Sequence, residues 1–267
     1  MISTVIFDMD GLMVDSEPMH YEAVNRVLSR YGVELSSIEN ARYVGVPDVE
    51  AFADLVVRYR LPVSSVTLVA EKRATYLGLI AGRIVAQPGL YRLLDRLEAD
   101  GYALAVASSS PIVEIELILG RLEVKERFRG YFSAEQVARG KPAPDLFLHA
   151  ASRVGAQPAC CLVLEDAPSG VRAAQSAGMT CFAVPSEAAR SGDFSPADRV
   201  LASLDEVYPA LAALQSVHSG GRGPKLPARG APNATQAAAA LVSGPAGGSA
   251  PASGARASGA SRDQRSE

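Results

Sequence analysis

Residues Ile2 to Gly11 read Ile-Ser-Thr-Val-Ile-Phe-Asp-Met-Asp-Gly: a short apolar, β-branched strand that stops at two carboxylates and a glycine. Buried strands do not end in paired charges without a reason. Side chains alternate along a strand, so Asp8 and Asp10 would diverge if it continued. Gly11 permits the chain to turn, which lets both acids address one site while backbone N–H groups face the same point. Two carboxylates at one spot repel each other, and a divalent cation is the usual remedy.

Other parts of the chain repeat this pattern of a strand ending in polar residues. Ala103–Ala107 is a continuous apolar run ending in Ser108-Ser109-Ser110-Pro111. Cys161–Leu164 is another, ending in Glu165-Asp166, and Thr180–Val184 is a third. Helical patterns lie between them: one opens after Pro88-Gly89, one follows Pro111, one begins near Pro144, and one runs from Pro168 to a stop at Gly178. Unbroken apolar strands alternating with helices indicate an α/β chain, a Rossmann-like parallel sheet covered on both faces.

Residues 16–85 break the alternation. Ser16-Glu17-Pro18 reads as a helix start with a hydroxyl cap, and Met19, Ala23, Val24, Val27 and Leu28 follow at helical spacing. Two further amphipathic helices cover about 49–59 and 66–80, with no strand signal. The expected domains are therefore an α/β core made of 1–15 and 86–215, a small helical cap made of 16–85, and a tail, 216–267. That tail is Gly, Ala, Pro, Ser and Arg without aromatics or periodicity. It cannot offset its ordering entropy by burial, and disorder is the expectation.

Composition excludes several classes. A net charge of −3 gives no reason to expect a nucleic-acid partner, and no apolar run approaches the roughly 20 residues that span a bilayer. The three cysteines, 160, 161 and 181, lie in apolar runs at no regular spacing, which fits buried thiols in a reducing cytoplasm rather than a disulfide framework. No export signal precedes Asp8. The expectation is a cytoplasmic monomer acting on a small metabolite, with no membrane or nucleic-acid partner.

In an open parallel sheet, ligands bind at the carboxyl ends of the strands, and every polar cluster above falls there. Lys141, in Gly140-Lys141-Pro142, adds one amine before a helix. Acids can hold Mg²⁺, and a hydroxyl and an ammonium can hold phosphate oxygens, so the set suits phosphoryl transfer through a carboxylate nucleophile.

The set, in this order, resembles the haloacid dehalogenase (HAD) superfamily over about residues 1–210. Asp8-Met9-Asp10-Gly11, Ser108, Lys141 and Glu165-Asp166 match its four motifs. The runs Asp15-Ser16-Glu17-Pro18 and Glu165-Asp166-Ala167-Pro168-Ser169-Gly170-Val171 resemble the subgroup with a helical cap, which holds β-phosphoglucomutase, pseudouridine 5′-phosphatase and phosphoglycolate phosphatase.

The resemblance implies the HAD fold and a set of roles. Asp8 attacks phosphorus and becomes an aspartyl phosphate. Asp10 protonates the leaving oxygen and then deprotonates water. Lys141 offsets charge, while Ser108, Ser109, Gly11 and His20 face phosphate or substrate. Asp8, Asp10 (through its carbonyl), Glu165 and Asp166 hold Mg²⁺. The mutase relatives use basic cap residues around the loop at Gly45, where this chain has Val44, Pro47 and Asp48. The implied activity is therefore Mg²⁺-dependent hydrolysis of a sugar or nucleoside-like phosphomonoester, ahead of a phosphohexomutase or a non-catalytic phosphate binder. Arg42 and Lys72 are left without a role.

Overall fold

The strand that ends in Asp8 is the third of six in a wholly parallel sheet. The computed structural model describes residues 1–43 and 46–219. Its strands are β1 (Thr4–Phe7), β2 (Ala103–Ser108), β3 (Tyr131–Ser133), β4 (Cys161–Glu165), β5 (Thr180–Ala183) and β6 (Arg199–Val200), in the order β3-β2-β1-β4-β5-β6. β1 lies between β2 and β4, with Phe7 level with Val106 on one side and Leu164 on the other. The polar ends of these three strands thus emerge side by side at one edge of the sheet.

Both faces of β1 are covered, which is why its four residues are all apolar or buried. Val5 and Phe7 join Leu104, Val106, Leu162, Leu164 and Phe182 in one core, and Ile6 joins Ala105, Val163 and Cys181 in the other. The first face is closed by α5 (Leu90–Ala99), α6 (Ile112–Arg121) and α9 (Val207–Ser219). The second is closed by α7 (Asp145–Arg153) and α8 (Pro168–Ser176).

Between β1 and α5 stand four helices: α1 (Glu17–Leu28), α2 (Ser37–Asn40), α3 (Asp48–Tyr59) and α4 (Ser65–Arg83). Val27, Leu28, Phe52, Leu55 and Leu68 give them a core of their own. Met19, Ala23, Tyr76 and Leu79, at the other ends of α1 and α4, pack into the sheet's first core. The insertion is therefore rooted in the sheet and not merely tethered to it.

Two local readings change. Ser16 does not cap α1; its hydroxyl goes to Asp10 instead, as described below. Helix α9 runs through Ser219, so residues 216–219 are helical, while 220–267 lie outside the described residues. Among the described residues, no helix is long and apolar enough to cross a membrane.

Candidate active site

Asp8 follows the last residue of β1 and donates its N–H to the Leu164 carbonyl at 2.9 Å, which locks it beside the end of β4. Glu165 is the last residue of β4. Its Oε2 accepts the N–H groups of Asp166 (2.9 Å) and Ala167 (3.1 Å), so the turn into α8 is built around this carboxylate. Lys141, from the loop before α7, donates from Nζ to Asp8 Oδ1 and to Glu165 Oε1 (2.6 Å). One buried ammonium thus bridges two buried carboxylates.

Asp166 completes the group. Oxygens of Asp8, Glu165 and Asp166 all lie within 4.8 Å of one another. These are hard oxygen donors converging on one point, the donor set that suits Mg²⁺. Glycines make the convergence possible. A Cβ on Gly11, whose φ is +85°, would lie 2.0 Å from Asp166 Oδ2, and one on Gly170 would lie 1.7 Å from Glu165 Oε1. Gly11 donates its own N–H to the Val14 carbonyl at 2.8 Å. Gly11 thus opens the turn, as its place after the two acids implies, and makes room for Asp166.

The electrostatics follow from crowding. Burial, then the neighbouring Glu165 and Asp166 charges, push the Asp8 carboxyl well above the usual range, against the pull of Lys141. Burial, followed by Glu165, pushes Asp166 up to about 7. Burial works against the Lys141 charge, but Asp8 and Glu165 outweigh it and hold the ammonium above its ordinary pKa.

Asp10 faces a different environment. Its Oδ1 accepts from the Ser16 hydroxyl at 2.7 Å, and its Oδ2 from Ser110 at 2.6 Å and Ser108 at 3.3 Å. A carboxylate held by three hydroxyls, two residues from another held by an ammonium, gives two acids in unlike settings. Sequence reasoning took Ser16 for a helix cap, because a serine before a helix carries that signal whatever else it does, and gave Ser110 no role of its own. Ser109 is exposed on the wall of a neighbouring cavity.

That cavity, about 600 Å³, lies between this site and the inserted helices. His20, Asp48, Lys72 and Glu114 reach it from α1, α3, α4 and α6. His20 stacks on Tyr76 with centroids 3.9 Å apart, and its Nδ1 meets Lys72 Nζ at 2.9 Å. Burial, then the Lys72 charge, pushes His20 down to about 4, so the ring is neutral from pH 5 to 8. Between about pH 4 and its ordinary 6.5 the unfolded chain binds a proton that folded His20 refuses. His20's own contribution to stability therefore rises with pH through that window, while Asp166, held near 7, works the other way. His20→Gln is expected to remove that upward contribution, so that with rising pH the variant's melting midpoint falls more steeply, or climbs less, than that of wild type. A His20 ring signal that titrates near 6.5 in the folded protein, followed by NMR, would overturn the assignment.

Comparison with known proteins agrees with the geometry. The haloacid dehalogenase-like hydrolase family matches residues 5–184. The chain belongs to this family. It is 34% identical over 215 residues to a probable pseudouridine-5′-phosphatase of Drosophila melanogaster, covering 78% of this chain and 92% of that protein. It is also 34% identical over 209 residues to the bifunctional riboflavin kinase/FMN phosphatase of Arabidopsis thaliana. That match covers 77% of this chain and 54% of the relative, so the chain spans about half of that longer protein. Among solved structures, a putative β-phosphoglucomutase from Thermotoga maritima superposes with a TM-score of 0.69 at 28% identity, over 80% of this chain and 100% of that one. With a family of hydrolases and relatives that are phosphatases, the chain is a phosphoric monoester hydrolase of the haloacid dehalogenase type.

Proposed function

We propose that the protein hydrolyses a small phosphomonoester, a sugar phosphate or a nucleoside-like phosphate, with Mg²⁺ and through an aspartyl phosphate on Asp8. The observation that carries this reading is the Lys141 ammonium bridging Asp8 and Glu165, with Asp10 on three hydroxyls next door.

In the first step an Asp8 carboxylate oxygen bonds to phosphorus and the bond to the leaving oxygen breaks. Asp10 gives that oxygen its proton, so the alcohol leaves neutral. In the second step water attacks phosphorus, the bond to Asp8 breaks, and Asp10 takes the proton from water. Ser108 and Lys141 hold phosphoryl oxygens, with Ser109 and His20 on the leaving-group side. Asp8, Glu165, Asp166 and the Asp10 carbonyl would hold Mg²⁺, which supplies positive charge to the phosphoryl oxygens. Preorganised positive charge of this kind is usually the largest contribution to such catalysis.

The helices of residues 16–85 serve as a cap over the core formed by 1–15 and 86–215. They exclude water and shape a cavity that takes a small leaving group. The partner is a small phosphorylated metabolite, and the acting unit is a monomer. Three free thiols suit the reducing cytoplasm.

The test is a panel of sugar and nucleoside monophosphates, with Mg²⁺ and with chelator, in which free phosphate and isomerised product are both followed. Phosphate release that needs Mg²⁺ is expected. Isomerised sugar phosphate without phosphate release would replace this reading with a phosphohexomutase.

A further inference from the structure

We propose that Asp48 and Glu114 make the leaving-group cavity selective for uncharged, hydroxylated leaving groups and set it against a carboxylate or a second phosphate. This rests on the phosphatase reading and adds the substrate class.

The argument begins with the cations on the cavity wall. Among the described residues these are Lys72, Arg73 and Lys141, with His20 held neutral. Each is already engaged by an acid. Lys72 Nζ sits 2.8 and 3.0 Å from the two Asp48 oxygens, with its side chain only 6% exposed. Arg73 Nε lies 3.5 Å from Glu114 Oε1; that carboxylate is 7% exposed and the Arg73 side chain 42%. Lys141 is shared by Asp8 and Glu165. Glu17 adds another carboxylate to the same wall.

An anion on the leaving group would therefore find every one of these cations already facing a carboxylate. It would have to displace Asp48 from Lys72 or Glu114 from Arg73, and either move strands a charge in a partly buried site, which is costly. A hydroxyl meets no such obstacle. Asp48 and Glu114 have oxygen lone pairs to accept from it, and Asn40 and Tyr43 line the same space. Burial, then the Asp10 charge, raises both Glu17 and Glu114, so negative charge on this wall is already disfavoured. Discrimination here comes from repulsion of the wrong ligand as much as from attraction of the right one.

The test uses two substrates of one carbon skeleton, racemic glycerol-3-phosphate and racemic 3-phosphoglycerate, which differ by a hydroxymethyl against a carboxylate. Hydrolysis of p-nitrophenyl phosphate is the reference. The wild-type chain is expected to favour glycerol-3-phosphate by at least ~10-fold in kcat/KM, about 1.4 kcal/mol. Asp48→Asn, which leaves Lys72 available to an anion, is expected to shrink that preference at least ~3-fold by raising kcat/KM for 3-phosphoglycerate. Glu114→Gln, acting through Arg73, is expected to do the same, with circular dichroism confirming that both variants fold. Equal kcat/KM for the two substrates in the wild type, or an unchanged preference in both variants, overturns this inference while leaving the phosphatase intact. No hydrolysis of p-nitrophenyl phosphate in Mg²⁺ overturns the phosphatase reading and this inference together.

Discussion

Asp8→Asn is expected to lower phosphate release by ~10⁴-fold or more while leaving the fold intact or slightly firmer. The loss follows from chemistry: an amide oxygen carries no charge with which to attack phosphorus, and removing the nucleophile of a unit costs nearly as much as removing the unit. The stability follows from geometry. Three carboxylates have oxygens within 4.8 Å of one another, and one ammonium, Lys141, pairs with two of them, so deleting one negative charge relieves repulsion. Asn keeps the shape of Asp and an oxygen to accept from Lys141. A site strained for function often yields such a trade of activity for stability. Two measurements check this. Acid-quenched wild type should carry phosphate on Asp8 and the variant none, and the variant's melting midpoint in chelator should equal or exceed that of wild type. A variant that keeps more than about 1% of the wild-type rate would rule out Asp8 as nucleophile.

The centre of the sheet was plain in the sequence because its strands are buried on both faces, and double burial writes a continuous apolar run. β1, β2, β4 and β5 all carry that mark. β3 spans three residues and β6 two, and Arg199 and Val200 are exposed, so neither offers a pattern to read. The acids at the ends of β1 and β4 stood out because charge at the end of a buried strand is out of place. Their partners did not stand out. Ser16 looked like a cap and Ser110 like part of a serine run, and only the folded chain brings both onto Asp10. The contact between Lys72 and Asp48 spans 24 positions, and that between Lys72 and His20 spans 52. No periodicity encodes such a pairing. It arises from how α1, α3 and α4 pack, and that packing gives Lys72 the place its sequence context withheld.

Lys141→Met should show how far the site's structure depends on one charge. Lys141 is 6% exposed and touches two carboxylates that are themselves almost wholly buried. Methionine fills similar volume but leaves Asp8 and Glu165 facing each other without a counter-charge. Breaking a buried pair by removing one partner costs about 3–5 kcal/mol, and protonation of one acid keeps the loss from growing much larger. For a chain of this size each kcal/mol moves the midpoint by about 2–4 °C, so a fall of about 10 °C in chelator is expected. Activity should drop by ~10³-fold, since a preorganised positive charge beside the phosphoryl group is gone. Lys141→Arg should recover little of it, because a branched planar guanidinium cannot occupy the space of a compact ammonium between two fixed carboxylates. The two variants also separate charge from shape through their response to Mg²⁺. A cation that binds only the folded state stabilises it by mass action, and a site stripped of its ammonium is the more negative one. Millimolar Mg²⁺ should therefore raise the midpoint of Lys141→Met by more degrees than that of wild type. An equal rise in both proteins would mean that Lys141 and the cation do not share the Asp8–Glu165 charge, and the assignment of the three carboxylates as one metal site would fall with it.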